Sequence, residues 1–146
     1  MMESGTLDFS FSGLKTAVLY LTKRLSEKGV RFNGTDPASA AIQKGICREV
    51  EDAITEVVIS KMRAAMERYA VETLVIGGGV IANTNIRQAL EKLASDCSVR
   101  LLLPRTDHST DNGLMIAIAG YFNRDKSVGA DVALKANGTL ALGPRD

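Results

Sequence analysis

What this chain has little of narrows its function first. In 146 residues there are two cysteines, Cys47 and Cys97, one histidine, His108, three prolines and no tryptophan. Two distant cysteines without a Cys-x-x-Cys spacing exclude a disulfide framework and a cysteine-based zinc site. A single histidine excludes a paired-histidine metal motif within the chain, and no Ser-His-Asp or Cys-His nucleophile arrangement stands out. The formal net charge is only +1, so whole-chain charge supplies no footprint for a polyanion. No apolar run reaches membrane-spanning length, and the first residues lack the basic start and apolar core of a secretory signal. The expectation is a soluble, cytoplasmic protein with reduced thiols and no membrane partner.

A hydrophobic fraction of 45% is that of a globular chain, and the length suits one domain spanning 1–146. Alternation over 7–11 predicts a strand, followed by a helix with Leu14, Val18, Leu21 and Leu25 on one face, Ser12 as its N-cap and Gly29 as its stop. Asp36-Pro37 is a strong helix start. Apolar residues then recur with a period of about 3.6 as far as Tyr69, which predicts a helix over 37–69. Its charged residues Lys44, Arg48, Glu51, Lys61 and Arg68 are expected to face solvent.

Short apolar runs at 73–76 and 99–103 read as strands buried on both faces, with a helix over 83–94 between them that turns Ile86, Leu90 and Leu93 inward. Right-handed crossover logic makes these strands parallel neighbours. Pro104 ends the second, and a mostly apolar helix runs from Leu114 to Phe122. Asn137-Gly138 predicts a hairpin over 132–142. The class is therefore α/β, with parallel strands and crossover helices.

The junction at Gly77-Gly78-Gly79 joins an apolar strand to a helix start, where bare backbone amides can approach an anion. Glycine can equally serve a tight reversal there. Asn83 lies at the following helix start, placed to cap it or to hydrogen-bond a ribose, base or carbonyl. Asp111 sits in the loop after the second strand, the edge of an α/β sheet where ligands collect. There it could ligate a metal; the alternative is that Ser109, Thr110 or Asp111 caps the next helix.

Three segments together resemble a known family: Asp8-Phe9-Ser10-Phe11-Ser12-Gly13-Leu14-Lys15-Thr16-Ala17-Val18, then Gly78-Gly79-Val80-Ile81-Ala82-Asn83 with Ile86-Arg87, then Thr110-Asp111-Asn112 with Met115-Ile116-Ala117. They are similar to the bacterial tRNA threonylcarbamoyladenosine transferases, formerly described as O-sialoglycoprotein endopeptidases or glycoproteases. The resemblance implies an actin-like ATPase fold, of the type shared by sugar kinases and heat-shock chaperones. It also implies transfer of a threonylcarbamoyl group from threonylcarbamoyl adenylate to an adenosine beside the tRNA anticodon, assisted by accessory proteins of the same pathway.

By motif, Asp111 matches the family's metal-binding aspartate, for iron or zinc, and Asn83 a substrate-contacting asparagine. Gly78 and Gly79 match the close backbone approach beside the nucleotide. Departures are mild: Gly77 stands where alanine is common, Ile81 where a small residue is usual, and His108-Ser109 where a cysteine is frequent. The family's two metal-binding histidines and its Ser-Gly-Gly loop belong upstream of the Phe-Ser-Phe-Ser-Gly segment, close to which this chain starts. The expectation is thus a carboxy-terminal part lacking the amino-terminal lobe and the first strands, with weak or absent metal binding and no catalysis alone. The alternatives are an autonomous module that dimerises through an open sheet edge or docks on a partner, and a nucleotide-binding regulator.

Overall fold

The computed structural model describes residues 5–34 and 36–126. Among them the order is α1 (Ser12–Glu27), α2 (Pro37–Tyr69), β1 (Thr73–Val75), a 3-10 turn (Gly79–Ala82), α3 (Thr84–Asp96), β2 (Arg100–Leu102) and α4 (Gly113–Phe122), with further 3-10 turns at Thr106–His108 and Arg124–Lys126. The chain divides into two compact units, residues 1–110 and 111–146. The expected hairpin over 132–142 lies outside the described residues.

In the first unit, α1 begins at the expected place for a different reason. Phe11 occupies the cap position and no side chain caps the helix. The Ser12 hydroxyl lies 2.9 Å from that of Ser10, so its neighbour, rather than the free amides, engages it. At the other end Gly29 adopts φ +92°, and the Val30 N–H donates to the Leu25 carbonyl at 3.0 Å, the left-handed closure that glycine permits. The 7–11 segment has no regular structure, which corrects the expected strand. A strand needs a neighbour for its backbone groups, and the sheet among the described residues contains only β1 and β2.

Asp36 starts α2 as expected. Its Oδ2 accepts the Ser39 N–H at 2.9 Å and its Oδ1 the Ala38 N–H at 3.4 Å, with Pro37 in the first turn. Hydrogen bonding to Ser39, first through its side chain and then its backbone, holds the Asp36 carboxyl below its ordinary value. The helix runs unbroken for 33 residues, about 50 Å at the usual rise. It ends at Ala70, in the left-handed region at φ 47° and ψ 49°.

β1 and β2 are parallel, with Thr73, Leu74 and Val75 opposite Arg100, Leu101 and Leu102, and α3 crosses between them. Burial alternates along both strands: Leu74, Ile76, Leu101 and Leu103 are half-buried, whereas Val75 and Leu102 are exposed. The expectation of strands buried on both faces is thereby corrected. Helices α2 and α3 cover one face of this sheet, and among the described residues of the first unit nothing covers the other. The core lies on the covered side, where Ile81, Ile86 and Leu90 are buried and pack against Ile54, Val58 and Met62 of α2 and against Ile76 and Leu103. Leu93 is buried as well, so the inward face read for α3 is the observed one.

Two charged residues of α2 depart from the solvent-facing expectation. Lys61 is buried and its Nζ donates to the Thr6 carbonyl, which ties the segment before α1 to the last third of α2. Glu51 is half-buried and faces α3. Lys44, Arg48 and Arg68 are exposed as expected. No helix among the described residues is long and apolar enough to cross a membrane.

The second unit contributes α4, an apolar helix with no buried residue; Ile116 and Phe122 are about three-quarters exposed, at 74% and 75%. Its first turn is capped by Asn112, whose Oδ1 accepts the Met115 N–H at 3.0 Å.

Candidate functional site

The glycine turn follows directly from β1. Gly78 sits at φ 92° and ψ 169°, a conformation open essentially to glycine alone. Gly79 begins the 3-10 turn, closed by the Ile81 N–H to the Gly78 carbonyl at 3.3 Å and the Asn83 N–H to the Val80 carbonyl at 3.0 Å. A methyl group added at Gly77, Gly78 or Gly79 would meet no other atom of the chain within 4 Å. Packing therefore does not require glycine at 77 or 79, and their backbone faces open space. Such a surface admits the close approach of a ligand's anionic group.

The turn delivers the chain to Asn83, which caps α3 by accepting the Ile86 N–H at Oδ1, 3.0 Å away. The other end of the same amide, Nδ2, donates to Glu51 Oε1 of α2. One residue pair further along, Asn85 Nδ2 donates to Asp52 Oδ1 at 3.2 Å and to Thr55 Oγ1 at 3.3 Å. Consecutive acids of α2 thus hold two asparagines at the start of α3. Each bond spans 30 or more positions of sequence, and together they anchor the start of α3 to α2. Spacing along the chain gave no signal for these pairs.

Asn83 also opens onto a groove of about 470 Å³ between α2 and α3, lined by Lys44, Cys47, Arg48, Val50, Glu51, Ile54 and Ile86. The groove combines apolar walls, an amide, a carboxylate and two exposed cations, a mixture suited to a polar ring with an anionic substituent. Gly78 and Gly79 stand beside Asn83 through the 3-10 turn and do not line the groove. The larger cavity, about 640 Å³ beside α1, contains neither Asn83 nor the glycines.

After β2, Pro104 leads into a compact loop. Arg87 of α3 donates from Nη2 to the Pro104 carbonyl at 2.7 Å, and the Ser109 hydroxyl donates to the Arg105 carbonyl at 3.0 Å. Arg105 grips Asp107 with two bonds of 3.1 and 2.9 Å, and that guanidinium holds the Asp107 carboxyl below its usual range. Asp111 begins the second unit, exposed. Because Asn112 performs the capping, the alternative reading of Asp111 as the cap of α4 is excluded.

For a metal, the donor set is the test. No group of three or more His, Cys, Asp or Glu side chains converges among the described residues. A tightly held iron or zinc ion takes about three or four protein donors, so the described residues do not form a metal site by themselves.

Fold and site together define an α/β protein in which a strand, an open glycine turn and an asparagine-capped helix follow one another. A family model described as tRNA N6-adenosine threonylcarbamoyltransferase matches residues 1–118. Proteins of that name are similar over most of this chain. The one from Thermosipho africanus is 36% identical over 142 residues, 97% of this chain and 40% of its own length. That from Polynucleobacter asymbioticus is 43% identical over 120 residues, 82% of this chain and 33% of its own. That from Dictyoglomus turgidum is 34% identical over 139 residues, 95% and 39%. The chain belongs to the tRNA N6-adenosine threonylcarbamoyltransferase family, and it spans between a third and two-fifths of the length of these curated relatives.

Proposed function

We propose that these residues form one wall of the site of an enzyme that transfers a threonylcarbamoyl group from threonylcarbamoyl adenylate to the amino group of an adenosine next to the tRNA anticodon. In that reaction the amino nitrogen bonds to the carbamoyl carbon, the carbon–oxygen bond to the adenylate phosphate breaks, and AMP leaves with the electron pair while the amine loses a proton. Binding and alignment of two large substrates supply much of such a rate enhancement. Gly78 and Gly79 offer backbone to the adenylate and Asn83 hydrogen-bonds it; separately, in the second unit, Asp111 would hold an iron or zinc ion by one carboxylate, together with donors from outside the described residues, and such an ion would polarise an oxygen of the substrate. The surrounding fold is the actin-like ATPase type, tRNA and accessory proteins of the pathway are the partners, and the cytoplasm is the compartment.

The observation that carries this reading is the glycine turn, open at Gly77 and Gly79 and joined to Asn83, within the family's sequence pattern. The described residues alone are proposed to be insufficient for turnover, on the ground that the chain spans at most two-fifths of its compared relatives. The test is incorporation of labelled threonylcarbamoyl group into tRNA by the 146-residue chain, with the Thermosipho africanus protein as the positive control. No transfer by the chain is expected, and robust turnover by it overturns the insufficiency. A second reading, self-association through the sheet, rests on Val75 being 71% exposed beside Leu102; a strictly monomeric species in light scattering removes it.

A further inference from the structure

We infer that Glu51 is a positioning residue for Asn83, and that the α2 carboxylate sets the direction in which this asparagine presents its amide to an adenylate. The inference rests on the proposed role of Asn83. A side-chain amide can flip end for end, exchanging donor for acceptor. Here both ends are fixed: Oδ1 accepts the Ile86 N–H at 3.0 Å, and Nδ2 donates a hydrogen bond to Glu51 Oε1. Each bond opposes the flip, because a flipped amide would set NH2 against an N–H and a carbonyl against a carboxylate.

Beyond these two bonds Asn83 has one further lone pair on Oδ1 and one further hydrogen on Nδ2, an acceptor and a donor. Adenine presents a complementary donor and acceptor at its amino edge. The groove beside Asn83, between α2 and α3, is mainly apolar, with Val50, Ile54 and Ile86 among its walls. Glu51 acts through Asn83, whereas the neighbouring Asn85–Asp52 bond at 3.2 Å anchors the same helix without touching Asn83. That pair separates orientation of the amide from mere attachment of α3.

The experiment is AMP titration of the full chain, followed by calorimetry and by the side-chain amide signals of Asn83 in NMR, for wild type, Asn83→Ala, Glu51→Ala, Glu51→Gln and Asn85→Ala. Glu51→Ala is expected to weaken AMP binding by about tenfold, as the loss of a hydrogen bond to a charged group does, and to shift the Asn83 amide signals. Glu51→Gln, whose carbonyl still accepts from Nδ2, is expected to restore affinity to within about threefold of wild type. Asn85→Ala lowers the melting temperature with unchanged affinity. Loss of binding in Asn83→Ala together with wild-type affinity in Glu51→Ala overturns the inference alone, as does equal weakening by Asn85→Ala and Glu51→Ala. Absence of AMP binding by the wild-type chain, or unchanged binding in Asn83→Ala, overturns the reading of Asn83 and the inference with it.

Discussion

Gly78 and Gly79 stand side by side in the turn after β1, yet the backbone constrains only one of them. Gly78 lies at φ 92° and ψ 169°, and Gly78→Ala is expected to lower stability by about 1–3 kcal/mol, the strain of that conformation for a residue with Cβ. Gly79 has no positive φ and open space where a methyl would stand. Gly79→Ala should therefore unfold within about 1 kcal/mol of wild type in urea. Its affinity for AMP is expected to fall by about tenfold or more, since a methyl group would fill the space proposed for the adenylate. Unchanged affinity in that variant removes the backbone-approach role.

Two ends of α2 show how single positions govern an element. At its start the folded state favours the ionised Asp36 carboxylate, whose ordinary value is 3.8. The stability due to this cap is therefore complete above that value and is lost as pH falls through the lower folded value. Compared with Asp36→Asn, which still caps but does not titrate there, wild type should lose relative stability only in the acid range below the ordinary value. A difference between the two that persists unchanged into strong acid contradicts the assignment. At the other end Ala70 adopts φ 47°, where an L side chain is disfavoured. Ala70→Gly is expected to raise stability by about 1 kcal/mol, read from the denaturant midpoint.

At the scale of the molecule, the first unit rests on a thin core. Ile81, Leu90 and Leu93 are its large, fully buried side chains, and Leu90 packs at the contact of α2 with α3. Leu90→Ala is expected to cost about 2–5 kcal/mol, seen as a shifted or lost cooperative transition in urea. A cost below about 1 kcal/mol would mean that neighbouring side chains collapse into the space. On the opposite face of the sheet Val75 and Leu102 are exposed among the described residues of this unit.

The sequence alone determined what depends on neighbours within a turn or two: the start of α2 at Asp36-Pro37, the stop of α1 at Gly29 and the inward face of α3; the parallel order of β1 and β2 followed from the handedness of a crossover. It also marked the glycine turn, Asn83 and Asp111 as the candidate residues. Only the tertiary structure decided what depends on partners distant in sequence. Among the described residues it left 7–11 without a strand, the sheet there consisting of β1 and β2, and within the first unit it covered one face of that sheet. Asn112 rather than Asp111 became the cap of α4. Lys61 and Glu51 came inward because Thr6 and Asn83 meet α2 there, contacts separated by 55 and 32 positions. Helical periodicity reports which side of a helix is apolar; it carries no information about which polar group waits opposite a carboxylate, and that pairing is what aims Asn83.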